Sequence, residues 1–314
     1  MSLLTTHPFD DDRPHEECGV FGIINQKDAS ALTALGLHAL QHRGQEAAGV
    51  VSFDGQQFHS HRAMGNVGDN FSSEDVIKRL PGNMAVGHVR YSTSGETIIR
   101  NVQPLFAEFA FGGLAIGHNG NLTNARVLRT ELVKAGCLFQ STTDTEVIVH
   151  LIATSKALTV IDRVTDALRQ VEGAYSLVAL TEDALIGVRD PHGVRPLVLG
   201  KFEDSYVLTS ESCALDIIGA DFIRDVEPGE LVVIRNGEVS SYHPFIKAPS
   251  RFCVFEYVYF SRPDSVVDGT SVYDARKNIG AELARESPAD VDMVIPVPDS
   301  GVPAAIGFAA ESGI

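Results

Sequence analysis

Between residues 174 and 211 four short apolar runs follow one another: AYSLVALT, DALIGVRD, RPLVLGKF and SYVLTSE. Each is long enough for one strand, and no helix-length segment separates them, so they read as an antiparallel meander. Helical spacing occurs elsewhere and in its own blocks, at 30–42, in TNARVLRTELVKAG with Gly136 as its stop, in TDTEVIVHLIATS and in VIDRVTDALRQV. Blocks of strands and blocks of helices, in place of strict βαβ alternation, predict helices packed outside antiparallel sheets.

The earlier part supplies more strands. CGVFGII begins at Cys18 and is apolar enough to be buried at once, while AAGVVSF and QQFHSHRAM are split by Asp54-Gly55, a hairpin signal. A short helix near 73–80 stops at Pro81-Gly82, and NMAVGHVRYST and GGLAIGHNG read as further strands. The pattern changes near residue 245. After the Pro-containing connector HPFIKAPSRF come a helix (SVYDARKNIGAELARES), a strand (DMVIPVP), a turn (DSG) and a helix (VPAAIGFAA), the opening of a parallel α/β unit. One strand is not a domain, so this sequence reads as the early part of something longer.

A hydrophobic share of 44% and a charged share of 21% are those of a chain with a sizeable core. The net charge of −16 repels nucleic acid and anionic membranes, which makes both poor partners. No apolar run approaches membrane-spanning length. Residues 1–17 lack the basic start and apolar centre of a secretory signal. Cys18, Cys137, Cys213 and Cys253 are widely spaced with no CxxC pair, which predicts reduced thiols in a cytoplasm.

Polar clusters punctuate the ends of the apolar runs, where a rigid scaffold presents functional groups. They are Cys18-Gly19, Gln41-His42-Arg43-Gly44-Gln45, Gly87-His88-Val89-Arg90-Tyr91-Ser92-Thr93, Gly117-His118-Asn119-Gly120-Asn121, and Thr142-Thr143-Asp144-Thr145-Glu146. Singly, each has a bland reading. Arg43 and Arg90 can be surface ion pairs, Asn119-Gly120 a turn, Asp144 a helix-start carboxylate and Cys18 a small buried hydrophobe. Cys137 and Cys213 have no activating neighbours in sequence and read as structural.

Taken together, ECGVFGI, LQHRGQEAAG, GHVRYSTSG, GHNGNLTN and TDTE occur in the order and spacing of class II glutamine amidotransferase domains, and residues 17 to 245 closely resemble that family. The resemblance implies a four-layer αββα N-terminal nucleophile hydrolase domain at 18–245, an α+β fold, preceded by a propeptide at 1–17. It implies that Cys18 is the nucleophile once the chain is cut after Glu17, with its freed α-amine as general base at a pKa of about 7.7–8.0. Asn119 and Gly120 match the oxyanion hole. Arg90 matches the grip on the glutamine α-carboxylate, Asp144 the receiver of its α-ammonium, and Arg43 a member of the same pocket that orients its nucleophile end.

The segment CVFEYVYFSRPDSVVDGTSVYDARKNIGAELA, continued by VIPVPDSGVPAAIGFA, resembles the branch of the family whose acceptor is phosphoribosyl pyrophosphate. Residues 246–314 are then the truncated beginning of an α/β phosphoribosyltransferase domain. The resemblance implies that ammonia from glutamine is passed to phosphoribosyl pyrophosphate in the first committed step of purine biosynthesis. It also implies a homo-oligomer. Ser300 matches a position assigned to Mg2+ near that substrate, and reads equally as a turn serine. Cys253 matches the first of four cysteines that hold a [4Fe–4S] cluster in one branch, and a cysteine without any cluster in another.

Overall fold

The computed structural model describes residues 18–91 and 98–314. The expected propeptide at 1–17, and Ser92 and Thr93 of the third polar cluster, lie outside the described residues.

In chain order the strands of the first part are β1 (Gly19–Ile24), β2 (Ala47–Phe53), β3 (Phe58–Met64), β4 (Met84–Arg90), β5 (Leu105–Phe109), β6 (Gly112–Leu122), β7 (Gly173–Leu180) and β8 (Leu185–Arg189). They are followed by β9 (Val198–Phe202), β10 (Ser205–Thr209), β11 (Asp221–Asp225), β12 (Leu231–Arg235) and β13 (Glu238–Tyr242). Among the described residues they form one sheet ordered β11-β9-β10-β1-β4-β2-β3 and a second ordered β13-β12-β8-β7-β6-β5. Every ladder within the two sheets is antiparallel. The helices are α1 (Ala29–Ala39), α2 (Val67–Phe71), α3 (Glu74–Lys78), α4 (Ala125–Lys134), α5 (Thr145–Thr154), α6 (Val160–Leu168) and α7 (Cys213–Ile218).

Alternation along β1 explains the layering. Val20 and Ile24 point one way into a cluster with Val86 of β4, Ala115 of β6 and Val178 of β7, which glues the sheets together. Phe21 and Ile23 point the other way, onto Leu37 of α1 and Leu215 of α7. On the far side, Ile116 of β6 and Leu177 of β7 meet Ile148 and Ile152 of α5 and Leu168 of α6. The result is helix, sheet, sheet, helix, the four-layer α+β arrangement implied by the resemblance. Large aliphatic side chains in such clusters contribute roughly 1.5–3 kcal/mol each when fully buried.

Beyond residue 245 the structure adds two short paired strands, β14 (Val266–Val267) and β15 (Thr270–Ser271), then α8 (Val272–Glu286) and α9 (Val302–Ser312). Helices α8 and α9 pack closely because Gly280 and Gly307 present bare backbone; a Cβ on either would collide with the main chain of the opposite helix, at Ala304 and Lys277 respectively. The strand expected at DMVIPVP does not form. A strand needs a partner to satisfy its N–H and C=O groups, and none of the described strands pairs with this stretch. Three of its apolar side chains stand exposed, Met293, Ile295 and Val297 at 70%, 77% and 81%.

The stretch 251–268, which sequence reading assigns to the second unit, is fastened to the first. Arg251 and Cys253 donate main-chain N–H groups to His192 and Val194, Val266 N–H donates to Ser212 Oγ, and Asp268 accepts both ends of the buried Arg189 guanidinium at 2.9 and 3.1 Å.

Candidate functional site

The polar clusters gather where β1, β4 and β6 reach one end of the sandwich. Gly19 lies opposite Val89 in the β1–β4 ladder, so Cys18, immediately before β1, comes level with Arg90 at the end of β4. Cys18 is 5% exposed, and its Sγ lies 3.3 Å from the main-chain carbonyl of Tyr91, positioned to donate to it.

Arg90 is buried, not a surface ion pair, and its Nη1 donates to the carbonyl of Asn101 at 3.0 Å. Asn101 in turn exchanges two bonds with Thr142: its Nδ2 donates to Thr142 Oγ1 at 2.8 Å and its Oδ1 accepts Thr142 N–H at 2.9 Å. Two residues on, Asp144 stands at the start of α5 without a side-chain capping bond. Its carboxylate accepts the N–H of Leu122 at the end of β6, and His118 Nδ1 lies 3.7 Å away. Burial opposes ionisation of Asp144, but His118 and the Leu122 N–H outweigh it and hold the carboxyl below the usual range. Glu146, two residues further, accepts the N–H groups of Gln140 and Ser141 and fixes the approach to the helix.

Asn119 and Gly120 are not a turn. They lie inside β6, opposite Ser176 and Tyr175 of β7. Asn119 is fully buried, and neither its Oδ1 nor its Nδ2 has a hydrogen-bond partner among the described residues. Gly120 has φ +146°, and a side chain there would strike the Ala174 carbonyl. Between the sheets, His88 Nε2 bonds to the His118 carbonyl at 3.0 Å. Burial, reinforced by the neighbouring Arg90 charge, pushes the His88 pKa down to about 3, so its imidazole is neutral at ordinary pH.

Arg43 is wholly buried as well. Its Nε donates to the carbonyl of Cys18 at 3.1 Å, and its terminal nitrogens go to Glu211 and Glu256. Its guanidinium thus engages the chain itself, at the residue that carries the thiol. Cys213, buried beside Glu211, has a charged neighbour of the wrong sign for activation. Burial and that carboxylate push its thiol pKa well up.

Ser300 lines a cavity of about 580 Å3 whose wall also includes His42, Gln45, Tyr259 and Arg276. Cys253 lies part-buried on the stretch docked against Val194. Among the described residues no group of three or more His, Cys, Asp or Glu side chains is placed to hold a metal ion. One thiol cannot hold a four-thiolate cluster, and Ser300 has no such group around it, so the residues present fit neither metal assignment. No helix among the described residues is long and apolar enough to cross a membrane.

Several contributors carried no sequence signal. Asn101 lies outside the motifs, and Glu211 and Glu256 lie at the end of SYVLTSE and within CVFEYVYFSRPDS, where no role falls to either; only the closed fold brings the three beside Arg90 and Arg43.

Residues 88–216 match a family model described as a glutamine amidotransferase domain. Amidophosphoribosyltransferase of Rhizobium etli is 57% identical over 100% of this chain and 64% of its own length. The chloroplastic amidophosphoribosyltransferase of Vigna aconitifolia is 50% identical over 99% of this chain and 64% of its own. The solved structure of glutamine phosphoribosylpyrophosphate amidotransferase from B. subtilis, complexed with ADP and GMP, superposes with a TM-score of 0.90 at 44% identity, over 95% of this chain and 64% of that one. The chain thus spans somewhat less than two thirds of the length of these relatives.

Proposed function

This chain belongs to the amidophosphoribosyltransferase family, and from that premise we propose that it hydrolyses glutamine at Cys18. In the longer polypeptide its relatives represent, the ammonia released is passed to phosphoribosyl pyrophosphate. Cutting the Glu17–Cys18 bond frees the α-amine, which takes the thiol proton as sulfur attacks the glutamine side-chain amide. The oxyanion of the tetrahedral intermediate accepts from Asn119 Nδ2 and the Gly120 N–H. Collapse breaks the C–N bond, the protonated α-amine returns its proton to the leaving nitrogen, and ammonia departs. Water then hydrolyses the thioester to glutamate.

The observation that carries this reading is Asn119, a fully buried amide with no partner, on the strand whose end meets Asp144. A desolvated, unpaired amide costs about 1–3 kcal/mol, which a folding role alone does not repay. Arg90 and Asp144, buried and linked through Asn101 and Thr142, supply the opposite charges that an α-carboxylate and an α-ammonium require.

Attack of ammonia on the anomeric carbon of phosphoribosyl pyrophosphate gives phosphoribosylamine and pyrophosphate, the first committed step of purine synthesis. The cavity joining His42 and Gln45 to Ser300 supports a route toward that acceptor. The reading gives no role to Mg2+ at Ser300 or to a [4Fe–4S] cluster through Cys253, since the described residues complete neither site. A cytoplasmic location and a homo-oligomeric assembly belong to the same family-based reading.

Intact mass before and after treatment with diazo-oxo-norleucine tests the proposal. The expected result is a chain beginning at Cys18 with one adduct on that residue, and no glutamine hydrolysis by Cys18→Ala. An uncut chain without adduct, or a Cys18→Ala variant that still hydrolyses glutamine, overturns it.

A further inference from the structure

The residue bearing the thiol is steadied by a guanidinium that is itself clamped by two carboxylates, and one of these comes from beyond residue 245. Arg43 Nη1 donates to Glu211 Oε1 at 2.5 Å and to Glu256 Oε2 at 3.0 Å, while Nη2 donates to Glu256 Oε1 at 2.9 Å. Glu256 therefore meets both terminal nitrogens, whereas Glu211 meets one. Because a guanidinium is planar, a fork on both terminal nitrogens fixes its plane and hence the direction of the Nε–H aimed at the Cys18 carbonyl.

Both carboxylates are held from behind. Glu256 Oε2 accepts from Ser261 Oγ at 2.8 Å. Glu211 Oε2 accepts from Ser265 Oγ at 2.7 Å and from the Arg262 N–H at 2.9 Å, and its Oε1 meets His42 Nε2 at 2.8 Å. Arg43, Glu211 and Glu256 have fully buried side chains. Burial works against the charge on Arg43, but Glu256 and then Glu211 outweigh it and keep it protonated. A buried ionic group is expensive to desolvate and often no better for stability than an apolar one. This one terminates on the main chain of the residue that precedes β1, where small displacements matter most for a nucleophile.

We infer that Glu256 is a positioning residue for the Cys18 nucleophile, acting through Arg43. The inference deepens the reading of Cys18 given above and rests on it. Glu256 and Arg43 set where the thiol stands, whereas the charges proposed to bind glutamine are Arg90 and Asp144. Loss of the clamp should therefore lower turnover and leave substrate affinity nearly alone, because misplacement of a reacting group by about 1 Å can cost on the order of a hundredfold in rate.

The test is a double-mutant cycle in the full-length polypeptide with Glu256→Gln, Arg43→Lys and their combination. Glutamine hydrolysis is measured per active site titrated with diazo-oxo-norleucine. Expected for Glu256→Gln is a fall in kcat of about ten- to a hundredfold with KM within about threefold. Adding it to Arg43→Lys should cost less than about threefold more, since the two act as one unit. Unchanged kcat per titrated site overturns the inference, even with a lower unfolding temperature, and so do fully multiplicative losses. Should Glu256→Gln not fold, Glu256→Asp is read by the same criteria, because it keeps the charge and shortens the reach. Cys18→Ala is the control: activity surviving there sinks the nucleophile reading, whereas activity lost there but intact in Glu256→Gln sinks only this inference.

Discussion

The carboxylate of Asp144 accepts the main-chain N–H of Leu122 at 2.9 Å, tying the first turn of α5 to the end of the strand that carries Asn119 and Gly120. Burial opposes its ionisation, but His118 and, after it, this bond prevail and hold the carboxyl below its usual range. The carboxylate is thus buried yet ionised, the state in which it can receive a substrate ammonium. Asp144→Asn keeps the shape and removes the charge. A hydrogen bond to a charged group is worth about 1.5–3 kcal/mol, so KM for glutamine should rise roughly ten- to a hundredfold. Steady-state kinetics with a kcat within about threefold of wild type is the expected outcome; an unchanged KM would show that Asp144 serves the fold alone.

Asn119→Ala should separate catalysis from stability in the other sense. Its amide has no partner among the described residues, so its removal forfeits no hydrogen bond in the resting protein. The unfolding free energy should stay level or rise by up to about 1–3 kcal/mol as the cost of the unpaired amide is relieved, while kcat falls by about 10²–10³. Chemical denaturation alongside glutaminase assays reads both; a large stability loss with normal turnover would contradict the oxyanion role.

Gly120→Ala puts a Cβ at φ +146°, against the Ala174 carbonyl. Backbone strain of this kind costs about 1–3 kcal/mol and the collision adds to it. The midpoint of urea unfolding should drop accordingly. A variant as stable as wild type would mean that β6 tolerates a side chain there by shifting away from β7.

His88 predicts an acid limb. Its folded-state pKa is about 3, against roughly 6.5 when unfolded, so between these values the unfolded chain binds the extra proton. Stability is then unpenalised above about pH 6.5 and falls as pH drops toward 3, by up to roughly 1.4 kcal/mol per pH unit from this group. His88→Gln, which cannot titrate, should flatten the dependence of unfolding free energy on pH over that window. An unaltered slope would assign the acid sensitivity to other groups.

Much of the scaffold was legible because it rests on local periodicity. CGVFGII and the Asp54-Gly55 hairpin pair as their patterns require. The meander read after residue 174 is broken in the middle: β7 pairs with β8 in one sheet and β9 with β10 in the other, because the chain between Arg189 and Val198 crosses from sheet to sheet. The strands Leu105–Phe109, Asp221–Asp225, Leu231–Arg235 and Glu238–Tyr242 carry patterns that sequence alone does not separate from loops. DMVIPVP had the composition of a strand, yet a strand is made by its neighbours, and here it has none. The motif residues Cys18, Arg90, Asn119 and Asp144 could be singled out by resemblance. Their supports could not: Glu211 and Glu256 look ordinary in TSESC and VFEYV, since a buried ion cluster is specified by chain closure and not by spacing along the chain.

The docking of residues 251–268 bears on how such a protein can be rearranged. Joining the first unit to a different acceptor at residue 245 would leave behind Glu256, the Asp268 that accepts Arg189, and the Arg262 N–H and Ser265 hydroxyl that support Glu211. The transplantable piece therefore ends after this strap, and a chimera that keeps it carries its own clamp on Arg43 wherever it is grafted.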